Sequence, residues 1–206
     1  MSRRKVGKPK KVIRVALLRE AMVNDFQDKD YEIAEGVYTK PGLPVPHTNS
    51  IIPAVKELSD IARKYDIFIA DTLDKHKKDD PEFKKWPPHC IKHFSGSNVI
   101  NELVVEGART YGKQKYGGFT NPYLARDLKN AGVDTVMIVG VVGNVCVKAT
   151  GKGAVKNGFK VIFVKEAICF LPDVENNLKL KMREIKKLEK VGRVVSLEEA
   201  IKILEG

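Results

Sequence analysis

The sequence predicts a three-layer α/β/α domain built on a mostly parallel, doubly wound sheet. Two observations carry that expectation. Short runs rich in β-branched residues alternate with segments of helical periodicity, and those runs are apolar almost throughout rather than at every second position. A strand apolar on both faces must be covered on both faces, which is the situation inside a parallel sheet flanked by helices. The chain's 206 residues fit one domain with a full core.

The elements follow in order. Strands are expected over 12–18, 67–70, 135–142 and 160–164, with a short one over Arg193–Val195. Ile51, Ile52, Val55, Leu58, Ile61 and Ala62 fall at helical spacing, and Leu124 and Leu128 mark a second helix with Gly132 as its stop. A helix over 145–156 opens just past the strand 135–142, and a long Lys-rich one covers 174–191. Ser196 and Glu199 form a capping box ahead of the last helix. Strands and helices alternating at these lengths imply right-handed crossovers. Two stretches break the rhythm. Residues 25–47 contain Gly36, Pro41, Gly42, Pro44 and Pro46; residues 74–97 contain Pro81, Pro87, Pro88 and three of the four histidines. Connections this long are usually functional or disordered, and a loop that follows a strand emerges at the carboxyl edge, where open α/β sheets bind ligands. With neither repeat nor linker, 12–206 reads as a single domain behind a basic, flexible arm over 1–11.

Composition excludes several classes. Hydrophobic residues at 43% and charged residues at 31% are globular proportions. No apolar run approaches the roughly 18 residues that cross a bilayer. Met-Ser-Arg-Arg-Lys has no apolar stretch behind it, which predicts no secretory signal. Three cysteines make no disulfide framework, so a reducing, cytoplasmic setting is expected. The net charge of +11 is concentrated in Arg3, Arg4, Lys5, Lys8, Lys10, Lys11 and Arg14. No nucleic-acid motif accompanies them, so a solvated terminus is favoured over a nucleic-acid arm.

Three groups of residues could carry chemistry. Cys146 follows the strand 135–142 at a helix start, where the helix dipole and free N–H groups favour thiolate and can hold an oxyanion. Taken alone, that position is also compatible with an inert buried cysteine. Asp74, His76 and His89 are the set of three protein ligands typical of a catalytic zinc, and Glu82 could add an oxygen. The alternative is solvated loop side chains. Lys113 and Lys115 are a surface charge pair unless one of them lies beside the thiol.

Together these residues resemble the isochorismatase-like cysteine hydrolases, nicotinamidase branch. The anchors run in the family's order: Ala16-Leu-Leu, Met22-Val-Asn-Asp-Phe26, Asp74-x-His76, Asp79-Asp-Pro-Glu-Phe83, Trp86-Pro-Pro-His-Cys90, Lys113 with Tyr116-x-x-Phe119, and Val139-Gly-Val-Val-Gly-Asn-Val-Cys-Val147. The resemblance implies a metal-dependent amidohydrolase that cleaves a small amide through a thioester on Cys146, supported by Lys113. Zinc or another divalent transition metal would sit on Asp74, His76 and His89, with Glu82 near it. A non-proline cis peptide between Val141 and Val142 would help Cys146 shape the oxyanion site. A homo-oligomer is also implied. The chain departs from the pattern where the base aspartate should stand, because that position is Ala21. Glu20 is one residue away, and adjacent strand side chains face opposite ways, so it substitutes only if the strand bends. A protein that retains the ligand and metal site without turnover is therefore the rival expectation.

Overall fold

The computed structural model describes residues 14–206. The basic arm and the first residues of the 12–18 expectation lie outside them. The chain opens with β1 (Val15–Glu20), followed by a small antiparallel hairpin, β2 (Tyr31–Ala34) and β3 (Val37–Thr39). It continues through α1 (Thr48–Lys64), β4 (Phe68–Asp74), β5 (Arg109–Lys113), α2 (Pro122–Asn130) and β6 (Thr135–Val141). Then come α3 (Lys148–Lys156), β7 (Lys160–Cys169), the short α4 (Pro172–Glu175), α5 (Leu178–Glu189), β8 (Arg193–Val195) and α6 (Leu197–Glu205). Six strands form one sheet in the order β5-β4-β1-β6-β7-β8, every pair parallel.

Strand alternation builds the two outer layers. Leu17 and Ala21 of β1 and its end join the core beneath α1 and α6, with Ile51, Val55, Leu58, Ala200 and Leu204. Ala16 and Leu18 face the other way, onto Leu124 and Leu128 of α2, Ala154 of α3 and Leu188 of α5. Period-two alternation therefore places one layer of helices on each face. Strand order reverses at β1, where β4 and β5 lie on one side and β6 to β8 on the other. A crevice outside the carboxyl ends is expected at such a switch point.

Several elements differ from the sequence expectation for identifiable reasons. β1 runs on through Arg19 and Glu20, whose charges are neutralised by partners on neighbouring elements. Arg19 sends Nε and Nη2 to Asp71 at 2.8 Å each, and Nη1 to Leu103 O at 2.6 Å and Ser59 Oγ at 3.2 Å. β5 has too polar a sequence to register as a strand, and only β4 pairs with it. The expected 174–191 helix is interrupted: α5 restarts at Asn177, whose side chain accepts a bond from Leu180 N. The capping box at α6 is half formed. Ser196 Oγ accepts from Glu199 N, while the Glu199 carboxylate binds Arg193.

Candidate active site

Four polar side chains converge on the face of the sheet that carries α2 and α3. Thr72 and Asp74 of β4 share the face of Ala70, while Lys113 shares that of Tyr111 and Glu20 that of Leu18. Asp74 and Lys113 are register partners on adjacent strands, as are Glu20 and Thr72. Lys113 Nζ donates to Asp74 Oδ2 at 2.6 Å and lies 3.2 Å from Glu20 Oε1. Glu20 Oε2 accepts from the hydroxyls of Thr72 and Thr150, both at 2.5 Å. All of these side chains are buried.

Glu20 thus meets Lys113 by ordinary alternation, and the strand need not bend before it. The bend comes after it. Ala21 has φ 54°, is wholly buried and packs on the α1 side of the sheet. That left-handed conformation is one that Asp and Asn tolerate better than Ala. On the opposite neighbour, Gly140 of β6 has φ 113°, and a Cβ there would stand 2.1 Å from Glu20 O. Only glycine lets β6 approach β1 this closely.

Cys146 sits just beyond β6 in a single π-helical turn, Gly143–Val147, which leads straight into α3. The expected α-helical start at 145 is therefore a π turn, a form that recurs at functional sites. The Val141–Val142 peptide is cis. Burial pushes the Cys146 thiol up to about 12; Lys113 and the backbone of Val142 pull it down, while Asp74 and Glu20 raise it further. Desolvation thus opposes the preference for thiolate that the helix end supplies.

The carboxylates respond differently to the same burial. It raises Glu20 to about 7, outweighing Lys113 and the two hydroxyls. Burial also works against the charged form of Asp74, but Lys113 and His76 hold that carboxyl below its usual range. For Lys113, burial is outweighed by Asp74, Cys146 and Glu20, which raise the amine well above its ordinary value.

A second cluster lies beside this one. His76, Glu82 and His89 bring one potential ligand atom each within 4.8 Å of one another. His89 Nδ1 lies 2.7 Å from Pro87 O, which can only accept, and His76 Nδ1 lies 3.0 Å from Asp80 Oδ2. Both bonds are satisfied by a ring proton on Nδ1, the tautomer whose Nε2 can bind metal. His76 Nε2 is buried without a hydrogen-bond partner. Two imidazoles, one of them with its buried Nε2 unpartnered, and a carboxylate fit a divalent transition metal. Asp74, first in the expected ligand set, stands at the edge of this cluster: its Oδ1 is 3.6 Å from His76 Nε2 and its Oδ2 is held by Lys113.

Cys146, Asp74, Glu82 and His89 open onto one cavity of about 210 Å³. Its walls are apolar and aromatic, with Phe26, Leu43, Val45, Trp86, Tyr116 and Leu171 among them. Asp25 ties the rim together. It accepts from Gly42 N at 2.8 Å and Cys90 N at 2.6 Å, while Gly96 leaves room for its carboxylate. Sequence reasoning missed Thr72 and Thr150, although Thr150 lies four residues past Cys146 and so on the same helical side. Tyr116, quoted only as part of a motif, proves to be a cavity wall.

A cysteine at the carboxyl edge of a doubly wound parallel sheet, above a buried Lys–Asp pair and beside an imidazole cluster, defines an α/β protein with a cysteine-centred site. The Isochorismatase domain family matches residues 22–199, and the chain belongs to that family. It is similar to an isochorismatase-like hydrolase from Alkaliphilus metalliredigens, with 28% identity and a TM-score of 0.78 over 92% of this chain and 98% of that one. It also resembles the pyrazinamidase of Pyrococcus horikoshii in complex with zinc, with 27% identity and a TM-score of 0.74 over 89% and 99% of the two chains. The nicotinamidase/pyrazinamidase of Mycobacterium tuberculosis is 31% identical over 97 residues, 40% of this chain and 50% of that protein.

Proposed function

We propose that this chain is a cysteine amidohydrolase that cleaves the C–N bond of a small, weakly polar amide through a thioester on Cys146, with Glu20 as the base in place of the missing aspartate. The contact of Glu20 Oε1 with Lys113, on the sheet face that leads to Cys146, carries the reading. The thiol is protonated at rest, so attack on a carbonyl carbon needs a base to take its proton as the S–C bond forms. Glu20, raised to about 7, is matched to that task near neutral pH. Its proton then passes to the leaving amine as the C–N bond breaks, giving ammonia and the thioester. Water attacks the thioester carbonyl, gives a proton to Glu20, and the sulfur leaves and recovers it.

Lys113 keeps Asp74 ionised and offsets the negative charge that develops beside it. A divalent ion, zinc by the likeness to the pyrazinamidase, would be held by His76, Glu82 and His89 with Asp74 beside it. When bound, such an ion supplies Lewis-acid polarisation near the reacting carbonyl. The small volume and the apolar, aromatic walls favour a small, weakly polar substrate. The three buried free cysteines agree with a cytoplasmic protein, and homo-oligomeric assembly belongs to the same reading.

The test is ammonia release from a panel of neutral amides by wild type, Cys146→Ala and Glu20→Gln, with mass spectrometry for an acyl adduct on Cys146. Release by wild type alone, with an adduct, supports the reading. Inert protein that still binds amide and metal would establish the binding-protein alternative instead.

A further inference from the structure

The hydrogen bonds around Glu20 have a direction. Gly118 N donates to Thr150 Oγ1 at 2.7 Å, so that oxygen already accepts. The Thr150 hydrogen finds its acceptor in Glu20 Oε2, at 2.5 Å. Thr72 Oγ1, at 2.5 Å on the same oxygen, has Glu20 as its one hydrogen-bond partner among the described residues. Two hydroxyl hydrogens therefore fill both lone pairs of Oε2 in its plane. Oε1 is the contrast: it is buried, has no hydrogen-bond partner among the described residues, and lies 3.2 Å from the Lys113 ammonium. Gly118 is fitted to this arrangement, since a Cβ there would lie 2.5 Å from Thr72 Cγ2 and 3.2 Å from Glu20 Oε2.

We infer that Gly118, Thr150 and Thr72 form a one-directional clamp that reserves Glu20 Oε2 as an acceptor and so holds the carboxyl with Oε1 turned toward Lys113. Thr72 and Thr150 are then positioning residues: they touch no reacting atom, but they fix the orientation of the carboxyl and stabilise its ionised form. Protonation at either oxygen costs a bond: on Oε2 it leaves one hydroxyl hydrogen without an acceptor, and on Oε1 the new hydrogen faces an ammonium that has no lone pair, so the clamp favours the ionised carboxyl. This inference rests on Glu20 as the base for its catalytic meaning, but its physical content does not.

The experiment uses Thr72→Val and Thr150→Val, which keep shape and remove the hydroxyl, with Thr72→Ser and Thr150→Ser as the restoring variants. The readouts are the pH profile of kcat/KM and the carboxyl infrared band of Glu20 in isotopically labelled protein, assigned by its loss in Glu20→Gln. Each valine variant should move the Glu20 titration, and with it the acid limb of the profile, up by about one pH unit, and serine should restore it. Folded valine variants that titrate like wild type would overturn the clamp, whatever the activity. If no variant, wild type included, hydrolyses amides but the band still shifts as expected, the clamp stands and the assignment of Glu20 as a base is what fails.

Discussion

The Lys113 ammonium stands between two carboxylates, 2.6 Å from Asp74 Oδ2 and 3.2 Å from Glu20 Oε1, with all three side chains shielded from water. One cation serves two anions. Removing it leaves both uncompensated in a low-dielectric setting, so Lys113→Met is expected to cost roughly 3–5 kcal/mol of stability. Adding Glu20→Gln to that variant should recover part of the loss, as one buried charge disappears. Urea unfolding of the two single variants and the double variant measures the coupling; additive costs would mean that the two side chains do not interact.

Glu20 also makes stability depend on pH. Its folded value, about 7, lies above the ordinary 4.5, so between those values the native state holds a proton that the unfolded chain releases. Stability from this group is complete below about pH 4.5 and is lost as pH rises through about 7, by roughly 3 kcal/mol in all. Glu20→Gln cannot ionise. Relative to wild type it should become steadily more stable from pH 5 to pH 8, as read from unfolding midpoints at each pH. A constant difference across that range would show that Glu20 titrates normally.

Metal should stabilise the fold through the imidazole cluster. Zinc at a hundred times its dissociation constant is expected to add about 2.7 kcal/mol, visible as a rise in Tm that a chelator reverses. His76→Ala should abolish that rise, and Glu82→Gln should reduce it, because each removes a donor from the group within 4.8 Å. An undiminished zinc response in His76→Ala would move the site elsewhere.

On the far side of the sheet, Arg19 and Asp71 form a buried two-pronged pair that has no part in the proposed chemistry. Asp71→Ala strands the guanidinium and should cost about 3–5 kcal/mol, whereas Arg19→Met with Asp71→Leu should cost much less. Calorimetric Tm values for the single and double variants distinguish the two outcomes. Amide hydrolysis by the double variant should stay near that of wild type.

Much of this was legible in the residues, and the failures share a cause. Apolar runs located β1, β4, β6, β7 and β8, because a covered parallel strand has little room for polarity. β5 escaped because the sheet edge tolerates Arg109, Thr110 and Gly112. Only the family resemblance joined Cys146, Lys113, Asp74, His76 and His89 into one site, because each group taken alone had an ordinary structural explanation. The resemblance did not say how Asp74 divides itself between Lys113 and the imidazoles, since that depends on distances across strands. Glu20 was judged by comparison with position 21, when the relevant comparison was with Leu18, which shares its face. At the thiol, the local helix end is visible in sequence, while the burial that opposes it is a tertiary property.

Asp25 carries a mechanical consequence. Gly42 and Cys90, whose N–H groups it binds, adjoin Leu43, a wall of the cavity, and His89, a candidate ligand. Wall and imidazole are thereby anchored to one carboxylate, so a change at Asp25 alone releases both a side of the cavity and a candidate ligand.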